Sequence, residues 1–154
     1  MKYLTKEIKQ YYMDDFNNNV VKCTDEYWGL DEGVLEVCTE INKNDNVQTL
    51  YSKKYSGGLG EPMSYLWVLY SKDADTNKID KFVKECKSKL DSFIFEYCEA
   101  PEPIICDPEG VANLCLADPK YLQHGFINIM LMDSFNVKKH NLFWRIIAKH
   151  IKNW

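Results

Sequence analysis

The chain has 154 residues, with 19 Lys and Arg against 23 Asp and Glu, and a formal net charge of −4. A composition of 45% hydrophobic, 14% aromatic and 27% charged residues is that of a folded globular chain and excludes a disordered one. At this length about 70% of the surface can be buried, so a core needs no disulfide or metal staple, and the mild acidity points away from a generic nucleic-acid binder.

Residues 3–16 are predicted helical, because Leu4, Ile8, Tyr11, Tyr12 and Phe16 recur at helical spacing and Asn17-Asn18-Asn19 ends the run. Val20–Thr24 reads as a short strand. Gly29 and Gly33 bracket a turn carrying Asp31 and Glu32. Val34–Ile41 then reads as a strand whose alternation is interrupted at Val37 and Cys38. Asn42–Asn46 is a polar turn, and Val47–Tyr55 is a further strand. Ser56–Pro62, rich in glycine, is the strongest break in the chain. Met63–Ser71 follows as a strand apolar on both faces, and so predicted central in its sheet.

The clearest predicted helix runs from Asn77 to about Cys98, with Thr76 as its N-cap. Ile79, Phe82, Val83, Cys86, Leu90, Phe93, Ile94 and Tyr97 fall within one arc of its wheel, and Phe95 alone points to the polar side. Glu99–Pro119 is irregular and proline-rich. Phe126–Met132 is the last strand and Asn136–Lys152 the closing helix. The order α-β-β-β-α-β-α, with short connections between consecutive strands, predicts a single α+β domain over residues 1–154. Its expected form is an antiparallel β-meander packed against two or three helices.

No stretch of about 18 apolar residues is present, so no membrane-spanning helix is expected. The first dozen residues lack the apolar run of a secretory signal. The six cysteines are widely spaced in a chain too long to need disulfides, which fits reduced thiols and a cytoplasmic protein. The segment Leu50–Tyr70, with its corner Gly60-Glu61-Pro62-Met63, resembles suppressor-of-fused-like domains. That family includes bacterial immunity proteins.

Motifs that would specify a reaction are not found. Gly57-Gly58-Leu59-Gly60 has neither Walker nor dinucleotide spacing and reads as a hairpin turn with positive φ. The cysteine spacings, such as Cys86 to Cys98 and Cys106 to Cys115, are too long for a zinc site built from paired thiolates. No metal or cofactor is implied. A Cys/His nucleophile pair could be assembled from Cys106 or Cys115, His124, and Asp107 or Asp118. His140 and His150, on the apolar arc of the last helix, read as packed histidines.

The charge distribution is uneven. Thr24–Asn42 carries Asp25, Glu26, Asp31, Glu32, Glu36 and Glu40 and no base. Residues 1–133 sum to −9 and residues 134–154 to +5, the latter from Lys138, Lys139, Arg145, Lys149 and Lys152. Such an acidic stretch focuses a field that steers a basic partner, and Tyr27 and Trp28 could anchor it. The expected function is therefore non-catalytic protein binding, as an inhibitor or immunity-type protein that blocks a basic toxin or effector. The expected contact residues are Asp25, Glu26, Tyr27, Trp28, Asp31, Glu32, Glu36 and Glu40, with the Gly57–Pro62 corner as a second contact. Nucleic acid would be reached only through the basic C-terminal helix. The competing expectation is a small enzyme with a Cys/His or carboxylate site in residues 99–125.

Overall fold

The computed structural model describes residues 3–20, 33–99, 125–132 and 134–154. The fold is α+β: four helices and one four-stranded antiparallel sheet. In chain order the elements are α1 (Lys6–Asp15), α2 (Val34–Asn42), β1 (Val47–Lys53), β2 (Ser64–Tyr70), α3 (Thr76–Lys89), β3 (Phe93–Cys98), β4 (Phe126–Leu131) and α4 (Val137–His150). A short 3-10 turn, Ile151–Asn153, continues α4. The sheet order is β1-β2-β4-β3, so β4 inserts between β2 and β3 and the strands do not simply succeed one another. Val47 faces Tyr70, Ser64 faces Leu131 and Cys98 faces Phe126, which places the β1–β2 loop and the end of β4 at one end of the sheet.

Helices α2, α3 and α4 cover one face. Their contribution to the core includes Val34, Cys38 and Ile41 from α2, Ile79, Phe82 and Cys86 from α3, and Phe143 and Ile147 from α4. These pack on Leu66, Val68, Ile127, Ile129 and Leu131 of the two central strands. On the opposite face, α1 sets Leu4, Tyr12 and Ile8 against Leu69, Leu50 and Phe126. Both central strands are thus apolar on two sides, as predicted for Met63–Ser71. Thr5 caps α1 by accepting the Ile8 N–H at 3.3 Å.

Two element assignments change. Val34–Ile41 is helical, because its buried positions fall at i, i+4 and i+7 (Val34, Cys38, Ile41), a helical and not a strand period. The long predicted helix stops at Lys89. Leu90 leaves it with φ −129° and ψ 116°, and Phe93–Cys98 is an edge strand. Phe93, Phe95 and Tyr97 alternate onto the core face of that strand, which places the one residue that did not fit the helical wheel. The N-cap of α3 is Asp75 and not Thr76; its carboxylate accepts the N–H groups of Asn77 and Lys78. The predicted strand Val20–Thr24 and the irregular Glu99–Pro119 segment fall chiefly outside the described residues.

Buried polar pairs fix the corners. Asn42 exchanges two hydrogen bonds of 2.9 Å with Thr49, one to its backbone N–H and one to its hydroxyl, tying the end of α2 to edge strand β1. The Lys9 ammonium donates to the carbonyls of Asn42, Asn44 and Val47 at 2.5–3.1 Å, pinning α1 to the same corner. Burial pulls the Lys9 ammonium down to about 8, with Asp45 acting against that shift.

Candidate functional site

The acidic surface expected from sequence is described only in part. Glu36 and Glu40 are exposed on α2, four residues apart and therefore on one helix face and not on a strand. Asp25, Glu26, Tyr27, Trp28, Asp31 and Glu32 lie outside the described residues, as do Cys106, Asp107, Cys115, Asp118 and His124. Glu40 hydrogen-bonds Lys43, which holds its carboxyl below the usual carboxylate range.

The second expected contact, the Gly57–Pro62 corner, has a defined geometry. It is the tip of the loop joining β1 to β2. Gly57 and Gly58 have φ of 101° and 100°, values that side chains with a Cβ rarely adopt. These two residues turn the chain so that Leu59, between Gly58 and Gly60, is fully exposed. Phe135, in the connection from β4 to α4, is 74% exposed. Large apolar side chains left in water are informative where they cluster. Tyr55 links the two: its ring meets Phe135 edge-on at 6.5 Å, and its hydroxyl donates to the Gly58 carbonyl at 3.4 Å.

Beneath Tyr55 lies a closed polar network. His140 and Ser64 are both fully buried. His140 Nε2 lies 2.6 Å from the Ser134 carbonyl, which can only accept, so Nε2 carries the proton and Nδ1 is the acceptor. The Ser64 hydroxyl therefore donates to Nδ1 at 2.7 Å, and its oxygen accepts the Tyr55 N–H at 2.9 Å. Burial pulls the His140 imidazole below its ordinary value, with the Ser134 carbonyl opposing. A serine and a histidine in contact resemble a nucleophile and its base, but this pair has no open face for a substrate. What it does is brace: one network holds the loop base, the start of β2, the corner before Phe135 and α4. His140 is thus a packed, satisfied histidine, as its position on the apolar arc indicated.

The basic helix α4 is partly neutralised by α3 and the turn that follows it. Lys139 pairs with Asp91 at 3.0 Å, and Lys149 lies 3.5 Å from Glu85. Glu85 also accepts from Lys89 at 2.8 Å and from His150; these hydrogen bonds hold its carboxyl down at about 2. Lys138, Arg145 and Lys152 are exposed, and Phe143, Trp144, Ile147 and Ile151 are buried.

The described cysteines are poor nucleophiles. Cys38, Cys86 and Cys98 are free thiols, and burial pushes Cys38 and Cys86 up to about 12. Among the described residues no three His, Cys, Asp or Glu side chains converge on a metal position, and no helix is long and apolar enough to cross a membrane. A cleft of about 640 Å³ lies between the start of α1 and the turns at Asp45 and Lys72, but the Lys9 ammonium that lines it already serves three carbonyls.

Sequence reading pointed to the Gly57–Pro62 corner as a contact but missed Phe135. The signal for Leu59 was a leucine enclosed by glycines, where no strand or helix could bury it. Phe135 carried no comparable signal. No protein-family model, curated protein or solved structure matches this chain.

Proposed function

We propose that the chain is a non-catalytic protein-binding protein, of the inhibitor or immunity type, that blocks a basic toxin or effector. The observation that carries this reading is the braced apolar tip formed by Leu59 and Phe135. A rigid loop holding a leucine in water gains on association what it forgoes in folding. Burying that side chain is worth about 1.5–3 kcal/mol, or about 10- to 150-fold in affinity. The Ser64–His140 network supports the reading further, because a pre-ordered loop loses less entropy when it binds.

The exposed carboxylates of Glu36 and Glu40 supply a second, electrostatic component. The first turn of α2 and Lys54 of the β1–β2 loop line one groove, so α2 begins at the same end of the sheet as the tip. A partner with an apolar pocket and a basic rim would meet both. Charges at the rim act mainly on association rate, and a buried leucine acts mainly on dissociation.

The test is capture from a native lysate with wild-type chain, Leu59→Asp and the double variant Glu36→Gln, Glu40→Gln. The reading expects a partner retained by wild type and lost with Leu59→Asp, and weaker retention by the double variant as salt rises. A partner held equally by all three chains would overturn it.

A further inference from the structure

The sheet has two edge strands, β1 and β3, and they are finished differently. An edge strand presents a row of backbone N–H and C=O groups to any other strand, and folded chains usually blunt it. On β1 the outward groups are occupied. The Thr49 N–H donates to the Asn42 side chain at 2.9 Å, and the Val47 carbonyl accepts from the Lys9 ammonium at 2.5 Å. A break in register between Thr49 and Tyr51 interrupts the rest of that edge.

Strand β3 has none of these devices. Phe93–Cys98 contains no lysine, arginine, proline or glycine, and its register with β4 runs unbroken. The direction of its backbone groups follows from the next pair along the ladder, Ser92 and Met132, where the Met132 N–H donates to the Ser92 carbonyl at 3.3 Å. Antiparallel strands alternate between facing pairs that exchange hydrogen bonds and pairs that do not. Ile94, Glu96 and Cys98 therefore bond to β4. Phe93, Phe95 and Tyr97 turn their N–H and C=O groups outward, and no strand among the described residues pairs with them. Their side chains lie on the helix-covered face and are only partly buried there.

We propose that β3 is a dimerisation edge, on which a second copy of this chain pairs antiparallel and joins two sheets into one. The pattern of β3 is symmetric about Phe95, which suits its own copy. Outward-facing residues must meet outward-facing residues, and only one register uses all three. In it Phe95 faces Phe95 of the second copy, and Phe93 faces Tyr97 of the second copy. Each facing pair then exchanges N–H···O bonds in both directions. The same register sets aromatic rings opposite one another, a favourable cross-strand pairing. On the other face Glu96 lies opposite Ile94 of the second copy, so the two Glu96 carboxylates are diagonal neighbours and do not face each other. The contact is isologous and closes on itself, and because β1 is plugged the pairing stops at the dimer. Pairing a few residues per chain buries less than the ~1,200–2,000 Å² of a stable interface, so the dimer is weak. Leu59 and Phe135 lie outside β3, so this edge stands apart from the proposed apolar tip.

Sedimentation equilibrium of the full chain from about 10 μM to about 1 mM tests this, with amide hydrogen exchange recorded at both ends of that range. The expected result is a monomer–dimer equilibrium, with the Phe95 and Tyr97 amides gaining at least about tenfold protection at the higher concentration. Tyr97→Pro deletes one outward N–H at an edge position, where proline is tolerated. Tyr97→Ala removes the same ring and keeps that N–H. The proline variant should dimerise at least about tenfold more weakly than the alanine variant. The wild-type measurements decide the matter even if the proline variant fails to fold. A chain still monomeric at about 1 mM would overturn the proposal. So would a dimer that leaves the Phe95 and Tyr97 amides unprotected, or a folded Tyr97→Pro that dimerises as readily as Tyr97→Ala.

Discussion

Ser64→Ala is the sharpest probe of the network that braces the tip. The hydroxyl serves two fully enclosed partners: it accepts the Tyr55 N–H at 2.9 Å and donates to His140 Nδ1 at 2.7 Å. Alanine keeps the strand geometry and removes one oxygen, which leaves a buried donor and a buried acceptor unpaired. Each such group costs about 1–3 kcal/mol, so the variant should lose about 2–6 kcal/mol. Against a total stability of about 5–15 kcal/mol that is a large fraction. The assay is equilibrium urea unfolding, in which the midpoint should fall while the slope stays constant. Ser88→Ala is the control, because among the described residues that hydroxyl bonds only the Glu85 carbonyl, at an exposed position; it should change stability by less than about 0.5 kcal/mol. If Ser64→Ala matched that control, the network would not be what holds the loop, and the rigid-tip account would fail with it.

Further outcomes follow from other contacts. Lys9→Met removes a cation from three carbonyls and should lower stability by about 1.5–3 kcal/mol, read as a fall in melting temperature of about 3–12 °C. Gly125→Ala should destabilise by about 1–3 kcal/mol or more in urea unfolding, because the new Cβ would lie 2.6 Å from the Cys98 carbonyl oxygen as well as against the Tyr97 ring. Two acid-side windows should separate in urea midpoints measured against pH. Glu85 is held down at about 2 from 4.5, so its contribution is present above about 4.5 and lost as pH falls toward 2; Glu85→Gln should flatten that limb. His140 is lowered from 6.5, so the unfolded chain takes up its proton first, and stability should decline as pH falls below 6.5; His140→Gln should remove that slope.

The sequence carried the fold class through its central strands and its last helix. Leu66, Val68, Ile127, Ile129 and Leu131 alternate within short apolar runs, and Phe143, Ile147 and Ile151 recur at helical spacing. The two misread segments are the ones where composition and period disagree. Val34–Ile41 is rich in β-branched residues, yet its buried positions repeat every three to four residues. Tertiary burial decided that conflict, as it commonly does against weak local propensity. Phe93–Cys98 can continue the wheel of α3, and only Phe95 and the Asp91-Ser92 break speak against it. Strand pairing with β4 decides the matter, and that partner lies well down the chain. Of the candidate site, the Gly57–Pro62 corner was legible as a turn from its glycines, and Glu36 and Glu40 stood out because Thr24–Asn42 contains no base, although Lys43 just beyond it pairs with Glu40. The closed Ser64–His140 pair was not legible, since 76 residues separate its members and neither carries a local motif.

The proposed role is binding of a basic protein through a braced apolar tip assisted by acidic residues. The most direct measurement is association and dissociation kinetics of the captured partner, recorded with rising salt, for wild type, Leu59→Asp and the Glu36→Gln, Glu40→Gln double variant. The account predicts that Leu59→Asp speeds dissociation by at least about tenfold, and that the double variant slows association with a shallower salt dependence. Kinetics that neither variant alters, and that salt leaves untouched, would contradict it.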